Sequence, residues 1–231
     1  MHDIPPLAVI ARIHSDFPTK FGIPRQSGLV ESLRATIVFE PEYRNPDSLR
    51  GLEEFSHIWL IWQFSEAVRP GWSPTVRPPR LGGNTRVGVF ATRSPFRPNE
   101  IGLSCVRLLG IEHTAEYGDV LHVAGADLMD GTPIFDIKPY LPFVDSHPEA
   151  TGGFADRTKE YALEVRDPDG LLDGLDAEQR EALRGVLAHD PRPSYQDDPE
   201  RVYGMAFAAY EVRFTVADGV LTVRELSCQD G

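Results

Sequence analysis

The sequence has little cysteine and no long apolar run. Its two cysteines, Cys105 and Cys228, lie far apart among 231 residues and form no CxxC pair, which argues against a disulfide scaffold and against a cysteine-built zinc site. No stretch approaches the ~20 apolar residues that a membrane-spanning helix needs. The opening MHDIPPL lacks the basic and apolar regions of a secretory signal. We therefore expect a cytoplasmic protein without a membrane partner.

Several catalytic and nucleotide-binding motifs are also missing. The sequence contains no GxGxxG after an early strand, no P-loop, no HExxH and no GxSxG, and it shows no alternation of strands and helices. This excludes the commonest dinucleotide and methyltransferase architecture. An enzyme that uses a nucleotide-like cofactor here would have to bind it on a β scaffold.

Charge is unevenly distributed along the chain. The net charge is −12, which by itself opposes a nucleic-acid partner. The segment from Glu112 to Glu200, however, contains 21 acidic residues and only 7 lysines and arginines. The segment from Ala67 to Arg107 contains a single acidic residue, Glu100. That same tract carries seven arginines and no lysine: Arg69, Arg77, Arg80, Arg86, Arg93, Arg97 and Arg107. The tract consists either of scattered solvated side chains or of an anion-binding face, and the planar guanidinium favours the latter for phosphate or carboxylate.

Hydrophobic periodicity predicts a β-dominated N-terminal part of about 145 residues. The predicted strands are Leu7–Ile13, Leu33–Phe39, His57–Phe64, Val87–Thr92, Leu103–Ile111 and Val120–Ala126. Ser146–Asp156 is a candidate linker. In the C-terminal part, Asp176 predicts the cap of a helix that ends at His189, and Tyr203–Phe214 with Val220–Leu226 predicts a hairpin turning at Asp218–Gly219.

Two segments of the N-terminal part could carry chemistry. Pro95 and Pro98 stiffen the loop that presents Arg93, Arg97 and Asn99, so this loop is either an anion site or a plain connection with surface arginines. The second segment, DLMDGTPIFDIKPY, places Asp127, Asp130 and Asp136 around a turn. These carboxylates could bind a ribose diol or a cation or accept a proton, although turn chemistry alone explains Asp130 and a metal site is a further reading.

Three other segments are less specific. FGIPRQSG, with Pro24, Arg25 and Gln26, predicts a loop. The aromatic strand beginning at His57 predicts core aromatics at Trp59, Trp62 and Phe64, one of which could stack on an adenine ring. DPRPSY predicts a proline-clamped loop that exposes Arg192 and Tyr195, which suits RNA contact as well as a plain linker.

Taken together and in order, these motifs resemble the TsaA/TrmO-like family of tRNA methyltransferases. The matching segments are FGIPRQSGLV, RGLEEFSHIWLIWQF, PTVRPPRLGGNTRVGVFATRSPFRPNEIGLS, DLMDGTPIFDIKPYLPFVDS and DPRPSY. The resemblance runs from about residue 7 to residue 145 and resumes in the last forty or so residues. It implies a mainly β fold, with a barrel domain over residues 1–145 that binds S-adenosylmethionine and a smaller α+β C-terminal domain over residues 157–231.

The resemblance also implies an activity and its partners. Members resembling this chain methylate N6 of threonylcarbamoyl-adenosine beside the tRNA anticodon, act as homodimers with the cofactor pocket near the subunit interface, and use the C-terminal part to hold tRNA. Transferred position by position, the expected cofactor residues are Pro24, Arg25, Gln26, Ser65, Glu66, Arg93, Leu103, Asp127, Leu128, Met129 and Asp130. The family commonly has His after the aromatic strand, and Ser65 stands there instead.

Functional roles beyond the cofactor follow from the same comparison of residue types. A carbamoyl group on N6 makes that nitrogen a poor nucleophile and a better acid. Asp130 and Asp136 are the candidate carboxylate bases, and a tRNA-bound water is the alternative. Arg97, Asn99, Arg192 and Tyr195 are the expected RNA contacts, and no metal is expected. Two alternatives are a hydrolase or lyase on a β-barrel and a non-catalytic tRNA-binding barrel.

Overall fold

Six antiparallel strands close into a barrel, and a second sheet with one helix follows it. The computed structural model describes residues 6–78, 81, 85–157, 161–192 and 198–228. The strands are β1 Ala11–Ser15, β2 Arg34–Phe39, β3 His57–Gln63, β4 Thr75–Val76, β5 Val87–Gly88, β6 Ile101–Thr114, β7 Gly118–Ala124, β8 Pro133–Pro139, β9 Glu164–Arg166, β10 Tyr203–Phe207, β11 Tyr210–Ala217 and β12 Val220–Cys228. The helices are α1 Pro142–Asp145 and α2 Ala177–Ala188, and 3-10 turns such as Ser65–Ala67 and Val89–Ala91 fill several connections.

The barrel has the strand order β1-β2-β7-β6-β3-β8, and every neighbouring pair is antiparallel. Alternate residues of each strand point inward. Ile13, Ile37, Leu60 and Leu121 are fully buried in this way. The predicted mainly β fold class is confirmed, and apolar alternation along the strands is its physical cause.

One end of the barrel is built differently from the other. Strand β6 extends past the end of β7. The last residue of β7, Ala124, pairs with Arg107, and β6 begins six residues before Arg107. The loop of residues 24–28 covers the exposed edge of β6. Ser27 Oγ accepts a hydrogen bond from the Cys105 amide at 3.1 Å, and the Gly28 amide donates to the Gly125 carbonyl at 2.9 Å.

The C-terminal sheet has the order β10-β11-β12-β9, with β9 parallel to β12. Its core includes residues from the connection between β1 and β2: Phe17, Val30 and Leu33 are buried together with the apolar face of α2. The Ala208 amide also donates to the Asp16 carbonyl at 2.7 Å. The C-terminal unit therefore packs on the barrel through this connection. The two domain boundaries expected from the sequence stay predictions.

Three local predictions are wrong. Val87–Thr92 is a two-residue strand followed by a 3-10 turn, and Tyr203–Phe214 is two strands separated by a turn in which Ala208 adopts a φ of 50°. Trp59 is not a core aromatic, because it lies on the outer face of β3 and its indole nitrogen donates to Asp145 at 3.0 Å. By contrast, Asp176 caps α2 as predicted.

Candidate functional site

Most of the expected cofactor residues lie at the barrel end where β1, β3 and β7 finish and β2, β6 and β8 begin. The 24–28 loop, the turn after β3, the connection before β6 and the 125–131 segment all meet there. The antiparallel strand order produces this gathering, because residues far apart in sequence return to the same rim. Sequence reasoning named these segments, and their common location is a structural finding.

An arginine and an amide meet across the rim. Arg93 Nη1 donates to Gln26 Oε1, and the Gln26 amide nitrogen donates to the backbone carbonyl of Arg25. Pro24, which precedes them, is buried. Pro24, Arg25, Gln26 and Arg93 thus lie together. The Arg93 guanidinium is held at the surface by the side chain of Gln26, 67 positions earlier in the sequence.

A shielded carboxylate lies beside this pair. Ser104 Oγ donates to Asp127 Oδ1 at 2.5 Å and accepts from the Trp62 indole nitrogen at 3.0 Å. Burial raises the pKa of Asp127, and the Ser104 hydroxyl and the positive charge of Arg93 offset only part of that effect. The rim therefore holds one carboxylate whose charge is poorly solvated and open to stabilisation by a cationic or hydrogen-bond-donating ligand.

Ser104 and Ser27 belong to this rim and were not assigned from the sequence, whereas Trp62 was expected as a core aromatic. Ser104 occupies an inward position of β6 between Gly102 and Val106, and it is fully buried. A polar side chain that points into a barrel needs a hydrogen-bond partner. A serine at an inward position of a strand is therefore the sequence signal that could have identified Ser104. Gly102 belongs to the same arrangement, because a β-carbon there would collide with the Trp62 ring.

Leu103 points outward from the same strand and is 50% exposed. It pairs in register with Ile61 on β3, and Ile101 two residues earlier is also exposed. The rim therefore combines the polar groups described above with an apolar surface on its outer side. An adenine ring requires a surface of this kind.

The loop that carries Arg93 is braced by Arg97. Arg97 Nη1 donates to the Thr92 carbonyl at 2.8 Å, and the Thr92 hydroxyl donates to the Val89 carbonyl at 2.8 Å. Arg97 is half-buried, whereas Asn99 is exposed. Arg97 thus contributes to loop geometry, and its RNA contact and that of Asn99 stay predictions.

The 128–130 residues differ in their environment. Leu128 is buried and its carbonyl accepts from Ser15 Oγ at 2.8 Å. Asp130 is exposed, and its Oδ1 accepts from the Ser15 amide at 3.1 Å and pairs with His14 Nδ1 at 3.2 Å. Met129 is half-buried between them. Asp130 is therefore fixed to the end of β1 at the rim.

Ser65 and Glu66 form an exposed 3-10 turn directly after β3. The turn is placed by the Phe64 amide, which donates to the Glu100 carbonyl at 2.8 Å. Phe64 also packs on Trp62, with ring centroids 4.2 Å apart. The turn therefore belongs to the same rim as the Trp62–Ser104–Asp127 chain.

Two predicted residues lie outside the group formed by the 24–28 loop, Arg93 and the 125–131 segment. Asp136 is in the middle of β8, in register with Ile61 on the outer face, and its Oδ2 pairs with Lys138 Nζ at 2.8 Å. Arg192, expected to be exposed, is instead buried, and that prediction is wrong. Its Nε and Nη2 bind both oxygens of Asp190 at 2.8 and 3.0 Å. Tyr195 lies outside the described residues.

The Asp190–Arg192 pair is a structural ion pair of the C-terminal unit. Burial raises the pKa of Asp190, but hydrogen bonds from Arg192 and from the Tyr161 hydroxyl outweigh that effect, so the pKa is lowered on balance. Charge-assisted bidentate pairing of this kind retains both charges in a shielded place.

Within the described ranges, no group of three histidine, cysteine or acidic side chains is arranged to hold a metal ion. The helices in the same part of the chain include none that is long and apolar enough to span a bilayer.

The chain is a closed antiparallel β-barrel protein whose candidate small-molecule site is the rim that carries an arginine, an amide and a shielded carboxylate. The chain matches the family model of the tRNA-methyltransferase O N-terminal domain over residues 12–146 and that of the TrmO C-terminal domain over residues 171–229. The chain therefore belongs to the tRNA-methyltransferase O family, and the resemblance drawn from the motifs is confirmed.

Individual relatives agree with the family model. A protein of Escherichia coli K12 named tRNA (adenine(37)-N6)-methyltransferase is 42% identical over 217 residues, which cover 90% of this chain and 92% of that protein. A Pseudomonas aeruginosa protein, whose name describes an S-adenosylmethionine-dependent methyltransferase, is 39% identical over 221 residues, with 88% of each chain covered. A crystal structure of TrmO from Pseudomonas aeruginosa superposes with a TM-score of 0.79 at 32% identity, covering 99% of both chains.

Proposed function

We propose that this protein is an S-adenosylmethionine-dependent methyltransferase that modifies N6 of adenine 37 in tRNA, and that its substrate form is the threonylcarbamoyl-adenosine. Family membership supports the reaction. One structural observation supports the location of the cofactor pocket. The Gln26–Arg93 and Ser104–Asp127 hydrogen bonds lie on the same rim of the barrel. The wider cofactor set of Pro24, Arg25, Ser65, Glu66 and the 127–130 segment surrounds that rim.

The residues at the rim fit the cofactor's chemistry. S-adenosylmethionine has a carboxylate, an ammonium, a ribose diol and an adenine, and when bound it supplies a methyl group on a sulfonium. Arg93 is the cation for the carboxylate. Asp127 accepts from the diol or the ammonium, and its poorly solvated charge gains most from such a partner. Leu103 supplies apolar contact for the adenine.

The proton on N6 must leave during methylation, and we assign its acceptor to Asp130 rather than Asp136. Asp130 lies on the rim, while its Oδ1 is oriented by Ser15 and His14. Asp136 lies on the outer face of β8 in an ion pair with Lys138. A base must come within hydrogen-bond reach of the proton that it takes, and only Asp130 belongs to the same segment as the cofactor residues.

The homodimer expected from the family also has a candidate surface. Leu103 and Ile101 on β6, and Phe143 and Val144 on α1, are exposed apolar residues. They share the outer face of the barrel, because Trp59 on that face donates to Asp145 of α1. Pairing of two copies over this face would place Leu103, and with it the cofactor rim, at the interface. Light scattering should then give twice the chain mass of 25.7 kDa.

Labelled S-adenosylmethionine and two tRNA preparations test the reaction. We expect label in tRNA that carries the threonylcarbamoyl group and none in tRNA that lacks it. Label in both would remove the substrate form from the proposal. Label in neither would overturn the methyltransferase, and salt-sensitive tRNA binding without label would favour a non-catalytic tRNA-binding barrel. We expect this chemistry in the cytoplasm.

Arg93→Ala tests the assigned cofactor pocket. We expect the cofactor Kd to rise at least tenfold, equivalent to about 1.4 kcal/mol, because the carboxylate loses its cationic partner. Isothermal titration of the purified protein measures this directly. Arg213→Ala, an exposed arginine paired with Glu225 in the C-terminal sheet, is the matched control. An unchanged Kd in Arg93→Ala would remove this residue from the pocket.

A further inference from the structure

The connection between β3 and β6 exposes aromatic rings that pack on no core. Trp72 is 52% exposed and Phe90 is 73% exposed, and their ring centroids lie 6.2 Å apart. Phe96, also exposed, lies under the guanidinium of Arg69 with 4.0 Å from the carbon to the ring centroid. We call Arg69, Trp72, Arg86, Phe90 and Phe96 the aromatic–arginine surface. Aromatic groups left in water in this way mark a surface for a partner.

The backbone beneath this surface is ordered by local hydrogen bonds. The Val89 amide donates to the Pro74 carbonyl at 3.0 Å, which joins the two sides of the β4–β5 ribbon next to Trp72 and Phe90. Val89 itself is buried. The rings are therefore presented by a fixed backbone, so a partner that binds them loses less conformational entropy than it would on a mobile loop.

Every charged residue of this connection between Glu66 and Glu100 is an arginine. Arg69, Arg77 and Arg86 are exposed on the same connection, and Arg86 Nη1 lies 3.4 Å from Thr75 Oγ1 on the ribbon. The neighbouring sequence up to Glu100 has no acid after Glu66. A cationic, aromatic surface inside a protein of net charge −12 attracts a polyanion locally while the rest of the molecule repels it.

We propose that the aromatic–arginine surface binds single-stranded RNA, namely the anticodon loop of the tRNA substrate, with bases stacked on Trp72 and Phe90 and phosphates at the arginines. Unpaired bases have exposed faces that stack on aromatic side chains, and arginine neutralises the phosphates between them. The connection joins the end of β3 to the start of β6, so a loop held there lies next to the cofactor rim. The inference rests on the proposed function for the identity of the RNA.

A second copy of the chain fits this surface less well. A twofold dimer over this surface would bring the same patch of both copies together, and that patch contains two arginines and no acid, so each copy would add positive charge to the interface. An RNA backbone supplies the missing negative charge. The observations therefore favour RNA over self-association here.

Direct binding of an anticodon stem-loop RNA is the test. We expect the double variant Trp72→Ala/Phe90→Ala to raise the RNA Kd at least tenfold in fluorescence anisotropy, while the cofactor Kd stays within twofold. Trp72→Phe should retain most of the affinity, because the stacking face is kept. Both rings are exposed, so the melting temperature should change little.

Tyr117 and Arg44 provide a matched control. They form a similar aromatic–arginine contact, 5.5 Å from guanidinium carbon to ring centroid, at the β6–β7 turn on the opposite end of the barrel. Tyr117→Ala removes an exposed ring of the same class without touching the proposed surface. Its RNA Kd should equal that of the wild type.

Salt dependence separates stacking from charge. Arg86→Ala should reduce the slope of log K against log salt by about 1, as expected for one lost phosphate contact. The aromatic double variant should weaken binding at every salt concentration with the slope unchanged. Steady-state methylation should show a raised KM for tRNA with kcat within twofold.

Three results would overturn the proposal. The first is an RNA Kd within twofold of wild type in the aromatic double variant, and the second is an equal loss in Tyr117→Ala. The third is a change from dimer to monomer in the double variant with RNA affinity unchanged, which would identify a self-interface. Failure of the methylation assay would leave these binding measurements readable, so an error in the proposed reaction can be told from an error in the surface.

Discussion

At the scale of single residues, Asp127 is a shielded carboxylate whose burial and whose hydrogen bonds shift its pKa in opposite directions. Its carboxylate is largely shielded, so burial raises its pKa, while Ser104 and Arg93 stabilise the charged form only in part. A shielded charge lowers the stability of the folded protein unless a partner compensates it. We attribute the presence of an acid here to the ligand that it binds.

Asp127→Asn should therefore separate stability from binding. Asparagine keeps an oxygen that accepts from Ser104 but removes the shielded charge. We expect the melting temperature at neutral pH to rise by about 2–4 °C, equivalent to about 1 kcal/mol for a chain of this size, while the cofactor Kd rises at least tenfold. Differential scanning calorimetry and isothermal titration measure the two effects.

The pH dependence of this stability difference has a definite sign. Because the folded-state pKa of Asp127 is raised, the wild type takes up the proton in the folded state first as the pH falls. The advantage of Asp127→Asn should shrink as the pH falls through the raised pKa and vanish below the ordinary value of 3.8. A variant less stable than wild type at neutral pH would mean that the carboxylate is well compensated without ligand.

The N-terminus of α2 provides a prediction at the scale of elements. Asp176 Oδ1 accepts from the amides of Glu178 and Gln179 at 3.0 and 2.9 Å, which satisfies two amides that have no partner within the helix. Asp176→Ala should lower the free energy of unfolding by about 1 kcal/mol. Urea unfolding followed by circular dichroism gives the value.

Asp176→Asn is the matched control for the cap. Asparagine caps as well as aspartate, so the variant should be at least as stable as the wild type, since the negative charge of Asp176 also raises the pKa of Asp16 nearby. Equal losses in the alanine and asparagine variants would show that the charge, rather than the hydrogen bonds, stabilises this helix end.

Features that depend on residues close together in the sequence could be predicted from it. Features that depend on contacts between distant residues could not. The cap of α2 depends on residues within three positions. The strand at His57 was predictable. Because HIWLIWQF is apolar at almost every position, the sequence did not show which alternate residues point into the barrel. Trp59 was therefore placed in the core. The ion-pair partner of Arg192, Asp190, is in the same DPRPSY motif. Arg192 nevertheless appeared exposed, because Tyr161 and Tyr203, which contact the pair, come from other segments.

The site shows the same division. Motifs identified the Arg93 loop and the 127–130 segment as chemistry-bearing, but the Ser104–Asp127 bond joins residues 23 positions apart and depends on the inward phase of β6. The separation of Asp130 from Asp136 likewise required the register of β8. Type and order of segments can be inferred from residues, whereas the pairing of side chains requires the closed barrel.

At the scale of the whole molecule, the barrel and the C-terminal unit are joined by a shared core. Phe17, Val30 and Leu33 from the barrel connection pack with α2 and the second sheet, and the His189 ring bonds the Leu29 carbonyl at 3.0 Å. The C-terminal unit is therefore fixed relative to the loop of residues 24–28 that carries cofactor residues, so changes at the junction should affect the site.

Asp16 makes this junction sensitive to pH. Burial raises the pKa of its carboxyl, and the charges of Asp176 and Glu178 raise it further. His14 and Arg34 line the same cleft at the junction as Asp16, and Arg34 Nε pairs with Glu178 at 2.6 Å. At neutral pH the charged Asp16 therefore opposes docking of the two units, and its protonation removes that opposition.

Asp16→Asn should consequently stabilise the protein at neutral pH and lose this advantage in acid. The folded-state pKa is raised, so the penalty is complete above it, decreases as the pH falls through it, and ends below the ordinary value of 3.8. Urea midpoints of wild type and variant, measured from pH 7 to pH 4, should converge, whereas Asp169→Asn, at an exposed aspartate of the C-terminal unit, should follow the wild type throughout. Midpoints that stay apart by a constant amount would mean that asparagine acts by packing and that the carboxyl of Asp16 does not control the junction.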